Sequence, residues 1–579
     1  MTSKAQKTRD DGVNAMYAYC LRFFSELKAL GVTNAIVSPG SRSTPLVLSA
    51  KQVGLDVVVH LDERVAAFHA LGAAKATGIP SILICSSGTA AANYLPAVVE
   101  ANHAATPMII CTADRPPELR QWGEGQTINQ VGLYGNNVRW HYDLPVTSEI
   151  SESHARSTAF RAWSMSTSRL QGPVHLNWPF RKPLEPTQKL ETPEASLSPE
   201  SSYQEEMPSS SSLVSLAKEC ERGLITVGPN SLQDKELDAL VAFSSDSGWP
   251  ILADPCSQLR DRGSLSGAPI ITSGELLFAE ERFTSLLDQV DVIVHVGLPA
   301  TSKAYRLWKQ ETPPTRYVIV SPGVDWPDPS HEVTDIIQGS ITAAFSEPSS
   351  GRGPNSRWCE LWTKHNGIAL ETVKRHVSEN QSELSLTSRI LSSIPSGTSL
   401  MLSNSMIVRD AELVLQNMKS DVKVISNRGA NGIDGVISTG IGVSSSSEGR
   451  CLILVGDVAA VHDIAGLVAA GRLQSDVVIV VIDNGGGAIF SFLPIAKEID
   501  NDSFEHLFTT PHHTNLIDIA SSAGVQSQVI ESSLDVEGLL GRAFESKGPS
   551  LFLCNTSVEE TVKAYEEMRA GFHASFREE

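Results

Sequence analysis

The sequence predicts an α/β protein of three domains in series, each built on a parallel sheet. Three observations carry this. Short apolar runs alternate with stretches of helical period along most of the chain, as in a parallel sheet covered by helices on both faces. Two polar stretches interrupt the alternation: 185–212, rich in Pro, Ser and Glu, and 346–356, SEPSSGRGPNS. Both have the composition of linkers. The length of 579 residues suits about three domains of ~100–200 residues each. The expected boundaries are 1–184, a linker at 185–212, 213–350 and 351–579.

Taken in order, residues 14–31 read as a helix with Ala15, Tyr19, Phe23, Leu27 and Leu30 on one face and Gly31 as its stop. Strand Asn34 to Val37 runs into SPGSRSTPL, 38–46. Strand Val57–His60 then leads into LDERVAAFHALGAAKATG, strand Ser81–Cys85 into SSGTAAANYLPAVVEA, and strand Met108–Cys111 into TADRPPEL. The first domain closes around GPVHLNWPFRKPL, 172–184. The second has strands at Gly223–Gly228, Pro250–Asp254 and Asp291–Gly297, with a helix around 235–246. No stretch of 20–50 residues repeats in tandem.

The third segment holds the most specific passage, 451–493. Its apolar run Cys451 to Val455 ends in Gly456-Asp457, and a helical stretch follows with Val458, Val461, Ala465 and Val468 at helical spacing. A second run, Val477 to Ile482, ends in Asp483-Asn484 and three glycines. A βαβ crossover makes two such strands parallel. Asp457 and Asn484 then both stand at strand carboxyl ends, where open α/β sheets place ligands. Their side chains and a backbone carbonyl of the Gly485–Gly487 turn are hard oxygen donors. Such donors suit Mg²⁺ bound to a phosphate-bearing partner.

Composition narrows the function. The chain is 41% hydrophobic and 19% charged, as in a globular protein with large cores. A net charge of −20 argues against a nucleic-acid binder or a protein drawn to anionic membranes. No apolar run approaches the ~20 residues of a membrane span. The amino terminus, MTSKAQKTRDDG, is polar, and the eight cysteines are scattered without a CxxC pair. A cytoplasmic enzyme with reduced thiols is the expectation.

Anionic substrates need only local cations, and the loops offer them. SPGSRSTPL presents Ser41 and Arg42, TADRPPEL presents Arg115 on a Pro-stiffened loop, and GEGQTINQ presents Gln126. SNSMIVRD presents Ser405 and Arg409 four residues apart, on one face if helical. SNRGANGIDGVISTGIG, 426–442, brings Arg428 and an apolar Ile433 into a Gly-rich stretch that lacks the Walker pattern.

SPGSRSTPL, LDERVAAFHALG, TADRPPEL, NRGANGIDG, the Gly456-Asp457 to Asn484 unit and NGGGAIFSFLP together closely resemble the MenD family. Its members are the 2-succinyl-5-enolpyruvyl-6-hydroxy-3-cyclohexene-1-carboxylate synthases of menaquinone and phylloquinone biosynthesis, within the thiamine-diphosphate enzymes. The likeness spans about 14–184 and 384–515 and is thin between them. It implies the thiamine-diphosphate-enzyme architecture: a pyrimidine-binding first domain, a central domain and a diphosphate-binding third domain. It also implies decarboxylation of 2-oxoglutarate and 1,4-addition of the resulting succinyl-semialdehyde unit to isochorismate. The generic relatives, such as acetolactate synthase and other 2-oxoacid decarboxylases, share Glu63 and the metal unit but not the arginine set.

Carried over by motif, Glu63 is the catalytic activator of thiamine diphosphate. Asp457, Asn484 and the Gly486 carbonyl hold Mg²⁺ (or Mn²⁺). Ile433 enforces a bent cofactor, Ile489 and Phe490 wall its site, and Ser405 borders it. Ser41, Arg42, Arg115, Gln126, Ser405, Arg409 and Arg428 bind substrate carboxylates and hydroxyls, and Lys303 joins them from the central domain. The sequence departs from the family at Val458, where the motif usually has Gly, at Gly125, where an Asn is frequent, and at Ala304, where a second cation is expected. The resemblance further implies a homodimer or homotetramer with active sites at the dimer interface.

Overall fold

The computed structural model describes residues 2–188, 190–196, 211–260, 267–287, 289–323, 326–345, 353, 356–416, 421–531 and 535–576. Most of the 346–356 linker and the 197–210 part of the other lie outside the described residues.

Among the described residues the chain forms three six-stranded sheets, and every strand pair is parallel. The first holds β1 (Asn34–Val37), β2 (Asp56–Val59), β3 (Ser81–Cys85), β4 (Met108–Asp114), β5 (Trp140–Asp143) and β6 (Pro173–Pro179) in the order β2-β1-β3-β4-β6-β5. The second holds β7 (Gly223–Val227), β8 (Ile251–Ala253), β9 (Ile270–Ile271), β10 (Val292–Val296), β11 (Arg316–Ser321) and β12 (Asp335–Gln338) in the order β12-β11-β10-β7-β8-β9. The third holds β13 (Ser399–Leu402), β14 (Lys423–Ser426), β15 (Cys451–Gly456), β16 (Val477–Asp483), β17 (Gln526–Val529) and β18 (Ser550–Asn555) in the order β14-β13-β15-β16-β18-β17. The first and third sheets thus share one topology. The middle sheet has instead the order of dinucleotide-binding folds, with its reversal between β7 and β10.

The helices that position the site are α1 (Thr2–Ala29), α2 (Glu63–Thr77), α3 (Leu95–His103), α4 (Lys303–Glu311), α5 (Glu383–Ser392), α6 (Met406–Val414), α7 (Val436–Ser445), α8 (Asp457–His462) and α9 (Ile464–Leu473). Helix α1 starts well before the expected residue 14 and ends short of Gly31, whose φ of +97° stops it. Its buried face carries Tyr19, Phe23 and Leu27 as expected; Leu30 is buried just past its end, and Ala15 is only partly buried.

By packing, the chain divides into two compact units. One comprises the described residues within 1–204, 429–447 and 463–475. The other comprises those within 205–428, 448–462 and 476–579. The first unit therefore contains α7 and α9, which the sequence encodes within the third segment. Its hydrophobic core sets α1 against β1, β3, β4 and β6, with Phe23 edge-on to Trp178.

In that unit α2 and α7 cross with almost no space between them. A Cβ on Gly72 would lie 2.0 Å from the Thr439 carbonyl oxygen, and one on Gly442 would lie 2.0 Å from the carbonyl oxygen of His69. Glycine is required because backbone meets backbone. The Gly-rich stretch is helical from Val436, and its Gly442 serves close packing.

The single helix expected after Gly456 is two, α8 and α9, broken at Asp463. Asp463 is buried and accepts from the Ser438 backbone N–H at 2.8 Å and from its hydroxyl at 2.9 Å, so it caps α7 at the cost of helical continuity. The apolar face expected there is also not the buried one. Val468 is 44% exposed, while Gly466, Leu467, Ala469 and Ala470 are buried. Small residues face inward because Gly466 lies against Ser438 and Asp463.

Gly442→Ala should cost roughly 1–3 kcal/mol, as overpacking of a closed site does. Gly541→Ala, with nothing within 4 Å of its added methyl, should stabilise slightly through helix propensity. Thermal melts of both variants check this, and equal effects would remove the close-packing argument.

Candidate active site

Both outer sheets reverse strand direction of growth at one point, β1/β3 in the first and β13/β15 in the third. Such a reversal opens a crevice at the carboxyl edge, because the flanking loops leave in opposite directions. The residues singled out from the outer segments follow the carboxyl ends of these two sheets.

In the first unit, Ser41 and Arg42 form a single 3₁₀ turn after β1. Arg42 is buried and donates from Nη1 to the Phe180 carbonyl at 2.8 Å. Burial lowers its pKa, and the charge of Arg115 lowers it further. Arg115, directly after β4, donates to the Ser87 hydroxyl and, at 2.8 Å, to the Gly125 carbonyl. Gln126 donates from Nε2 to the Ser87 carbonyl at 2.9 Å. Arg115 and Gln126 thus converge on Ser87, after β3. Gly125, where a side chain was expected, contributes its carbonyl to holding Arg115.

Glu63 is the first residue of α2. Capping falls to its neighbour: Asp62 accepts from the N–H groups of Arg64 at 2.8 Å and Val65 at 3.3 Å. Glu63 is therefore free of that duty. It is half-buried and accepts from Asn93 Nδ2 at 3.4 Å. On the same helix Phe68 packs on Gly435, whose φ of +64° and 2.0 Å clearance exclude any side chain. Ile433 stands two residues earlier, half-buried, on a loop held by Glu100 of α3. The Glu100 carboxylate accepts from the N–H of Gly429 at 3.0 Å and of Ala430 at 2.6 Å, and pairs with Lys75 at 2.8 Å.

In the second unit, Ser405 precedes α6 with a φ of +64°, a conformation that costs a non-glycine residue free energy. Its carbonyl accepts from Arg409. Burial lowers the pKa of Arg409, and the charges of Arg428 and Arg306 add to the effect. Arg428 donates from Nη1 to Asn404 Oδ1 at 2.9 Å. Lys303 stands exposed at the start of α4. The α4 cation that acts on Arg409 is Arg306, three residues on and on the same helical face. The sequence showed that spacing, but nothing in it singled out Arg306.

Asp457 follows β15 and is buried. Burial pushes its carboxyl up to about 7; the Val458 N–H opposes this and the charge of Asp483 reinforces it. Its Oδ2 and the Oδ1 of Asn484 are both buried without a hydrogen-bond partner. Asp457, Asp483 and His512 place one ligand atom each within 4.8 Å of one another. His512 Nδ1 accepts from the Thr514 N–H at 2.9 Å, so the ring's proton sits on Nε2, 3.4 Å from Asp457 Oδ2. His512 lies 55 residues beyond Asp457 in the chain, and no spacing signal linked the two.

Gly486 needs to be glycine: its φ is +137°, and a Cβ would lie 2.2 Å from the Thr509 carbonyl. Its carbonyl accepts from the Ala488 N–H at 2.9 Å and keeps a second lone pair. Ile489 and Phe490 follow in a 3₁₀ turn; Phe490 meets Phe508 edge-on at 5.7 Å, and Ile489 packs on the neighbouring core. Two unpartnered buried oxygens beside an acidic neighbour fit a hard divalent cation.

Three family models match in sequence: the N-terminal TPP-binding domain of thiamine pyrophosphate enzymes over residues 22–133, the thiamine pyrophosphate middle domain over 187–402, and the C-terminal TPP-binding domain over 413–554. Proteins named 2-succinyl-5-enolpyruvyl-6-hydroxy-3-cyclohexene-1-carboxylate synthase match over most of the chain. The one from Chloroflexus aurantiacus is 39% identical, covering 88% of each chain. That from Listeria monocytogenes is 35% identical, covering 94% of this chain and 95% of its own. That from Geobacillus kaustophilus is 35% identical, covering 95% and 97%. Among solved structures, benzoylformate decarboxylase from Polynucleobacter necessarius shares the fold, with a TM-score of 0.67 at 16% identity over 94% of this chain and 99% of its own.

A carboxyl whose native pKa lies above its unfolded value takes up a proton on folding, so stability falls as pH rises between the two. For Asp457 that window runs from 3.8 to about 7. In cation-free protein, Asp457→Asn should therefore gain stability over wild type as pH rises from 5 to 7, with a constant gap above 7. Melting curves across that range measure it; a gap independent of pH would count against the assignment.

Proposed function

The chain belongs to the 2-succinyl-5-enolpyruvyl-6-hydroxy-3-cyclohexene-1-carboxylate synthase family of thiamine-pyrophosphate enzymes, and from that premise we propose how its residues carry the reaction. The reaction takes 2-oxoglutarate and isochorismate. 2-Oxoglutarate loses CO₂, and its remaining four-carbon unit adds in 1,4 fashion to isochorismate, a step of menaquinone or phylloquinone biosynthesis. Thiamine diphosphate, when bound, supplies the electron sink that this decarboxylation and carbon–carbon bond formation need.

The observation that carries the substrate assignment is a set of unpaired donors. Among the described residues, four arginines have a buried Nε–H without a hydrogen-bond partner: Arg42, Arg115, Arg428 and Arg450, of which Arg115 has Glu124 Oε1 at 3.9 Å from its Nε. Three of the four belong to the set expected to bind substrate. A buried guanidinium donor left open is costly unless an anion arrives to take it. Both substrates are dicarboxylates, which match guanidinium groups in charge and shape. Ser41, Gln126, Ser405 and Arg409 complete the set, with Arg306 and Lys303 from α4.

Glu63 would hold or pass a carboxyl proton toward the cofactor's pyrimidine ring, a role supported by its release from capping and by the motif around it. Asp457, Asn484 and the Gly486 carbonyl would hold Mg²⁺ or Mn²⁺, and through it the diphosphate. Ile433 would support the cofactor between its rings, and Ile489 and Phe490 would wall the site. The domain limits 1–184, 213–350 and 351–579 are kept as the working division. A homodimer or homotetramer with active sites at the dimer interface is proposed on the motif resemblance. No helix among the described residues is long and apolar enough to cross a membrane. All eight cysteines are free, which supports a reducing, cytoplasmic setting.

The direct test supplies thiamine diphosphate, Mg²⁺ and 2-oxoglutarate, with and without isochorismate, and follows CO₂ release and isochorismate loss. Both should occur, coupled. A preference for pyruvate would move the chain toward acetolactate synthase or another 2-oxoacid decarboxylase. Glu63→Gln should lower kcat by roughly 100- to 10,000-fold, the scale of general acid–base catalysis, while leaving Mg²⁺-dependent cofactor binding in place. Turnover near wild type would refute its role. Arg428→Ala should raise the KM of a dicarboxylate substrate by roughly 10–100-fold, the loss of a charged hydrogen bond. A larger effect on cofactor binding would reassign Arg428 to the diphosphate.

A further inference from the structure

Asn484 poses a problem that Asp457 does not. The two ends of its amide have nearly the same shape, and only one of them attracts a cation. An amide turned the wrong way would aim N–H groups at the metal. Something must fix the orientation.

The structure provides it in Glu383, the first residue of α5. This carboxyl is 1% exposed. Its Oε2 accepts from Asn484 Nδ2 at 3.2 Å and Thr556 Oγ1 at 3.3 Å, and lies 3.1 Å from Thr561 Oγ1, whose one proton also faces the Ser557 carbonyl at 2.8 Å. An acid in the first turn of a helix often serves the helix itself. Here Ser382 is the cap, accepting from the Ser385 N–H at 3.3 Å, and Glu383 turns inward.

The amide is planar, so pinning Nδ2 on a carboxyl also sets Oδ1. That oxygen is the buried, unpartnered one. Reversing the amide would set its carbonyl oxygen against the Glu383 carboxyl and lose the hydrogen bond. One of the threonines is tied to the same strand end: Thr556 follows β18, and its N–H donates to the Asp483 carbonyl at 2.8 Å, one residue before Asn484. Glu383 thus grips both the side chain of Asn484 and the neighbouring strand end that carries it.

We propose that Glu383 is a positioning residue that orients the Asn484 amide so that its oxygen, and not its nitrogen, faces the cation. The proposal rests on the reading of Asp457 and Asn484 as cation ligands. Groups that hold a metal ligand from behind typically contribute 10–100-fold to metal affinity.

The test titrates the full-length protein with Mn²⁺ in the presence of thiamine diphosphate and reads free Mn²⁺ by electron paramagnetic resonance. Glu383→Met, which removes the acceptor, should weaken Mn²⁺ binding by about 10–100-fold. Glu383→Gln, which keeps an acceptor oxygen, should stay within about threefold of wild type, with KM values for both substrates unchanged at saturating Mg²⁺. Equal affinity in Glu383→Met and wild type would overturn the proposal, as would Glu383→Gln and Glu383→Met being equally weak. A wild-type protein that binds no Mn²⁺ would overturn the ligand assignment itself, and the proposal with it.

Glu383→Met can also fail to fold, since the donors around it lose their acceptor. The exchange of partners then carries the test. Asn484→Asp alone sets carboxyl against carboxyl and should bind Mn²⁺ at least about tenfold more weakly, despite the added charge. Adding Glu383→Gln restores a donor–acceptor pair and should return affinity to within about threefold of wild type. Asn484→Asp binding Mn²⁺ as tightly as wild type would overturn the proposal.

Discussion

A buried carboxylate without a positive partner is among the least stable things a protein can contain. Asp457 is such a group, and much of the second unit is arranged around it. It cannot move to solvent, because it opens α8 directly after the central strand β15. Its immediate surroundings offer a second carboxylate, Asp483, and His512, whose Nε2 lies 3.4 Å from Asp457 Oδ2. The Asn484 amide is aimed by a further carboxyl, Glu383, and leaves an open oxygen beside it. A folded chain tolerates this concentration of acceptors when a cation completes it. The fit of this site to a cation therefore follows from the local electrostatics as well as from the motif.

The first unit is governed by a different constraint, close approach of backbone. Gly72 and Gly442 let α2 and α7 touch, and Gly435 lets the Phe68 ring lie against the turn before α7. These contacts fix the helix that begins with Glu63 relative to the loop that carries Ile433. Glu100 fixes the same loop from its other end through two backbone N–H groups. A loop rich in glycine is usually mobile; this one is held at three points. The role proposed for Glu63 calls for precise placement, which such rigidity supplies.

How much of this could be read from the sequence follows from where the signal lies. Asp457 and Asn484 were legible because they end two apolar runs joined by one crossover, which fixes their common edge. Arg42, Arg115 and Gln126 were legible as loop residues, and the structure brings Arg115 and Gln126 together on Ser87. Glu383 was not: an acid at a helix start reads as a first-turn residue, and its inward turn depends on Thr556 and Thr561, far along the chain. His512 and Arg306 were missed for the same reason, since tertiary placement alone gives them a role. The break at Asp463 was invisible because the residue it caps, Ser438, belongs to a different helix. The shared strand order of the outer sheets was equally hidden, because sheet order is set by crossovers and leaves no tandem period in the sequence.

The middle sheet shows why strand order alone does not make a site. It has the order of a dinucleotide-binding fold, yet its crevice at β7/β10 is closed by backbone. A Cβ on Gly228 would lie 1.7 Å from the Leu298 carbonyl oxygen, and the Leu298 N–H donates to the Pro229 carbonyl at 3.0 Å. The segment contributes by support instead. Arg260, following β8, donates to the carbonyls of Glu412 at 2.8 Å and Leu415 at 3.2 Å, and pairs with the Glu412 carboxylate at 2.7 Å. These contacts satisfy the carboxyl end of α6 and place a cation at the negative end of its dipole. The opposite end of α6 holds Ser405 and Arg409. The middle segment thus holds the carboxyl end of α6 from behind and sets the charge of Arg306 near Arg409.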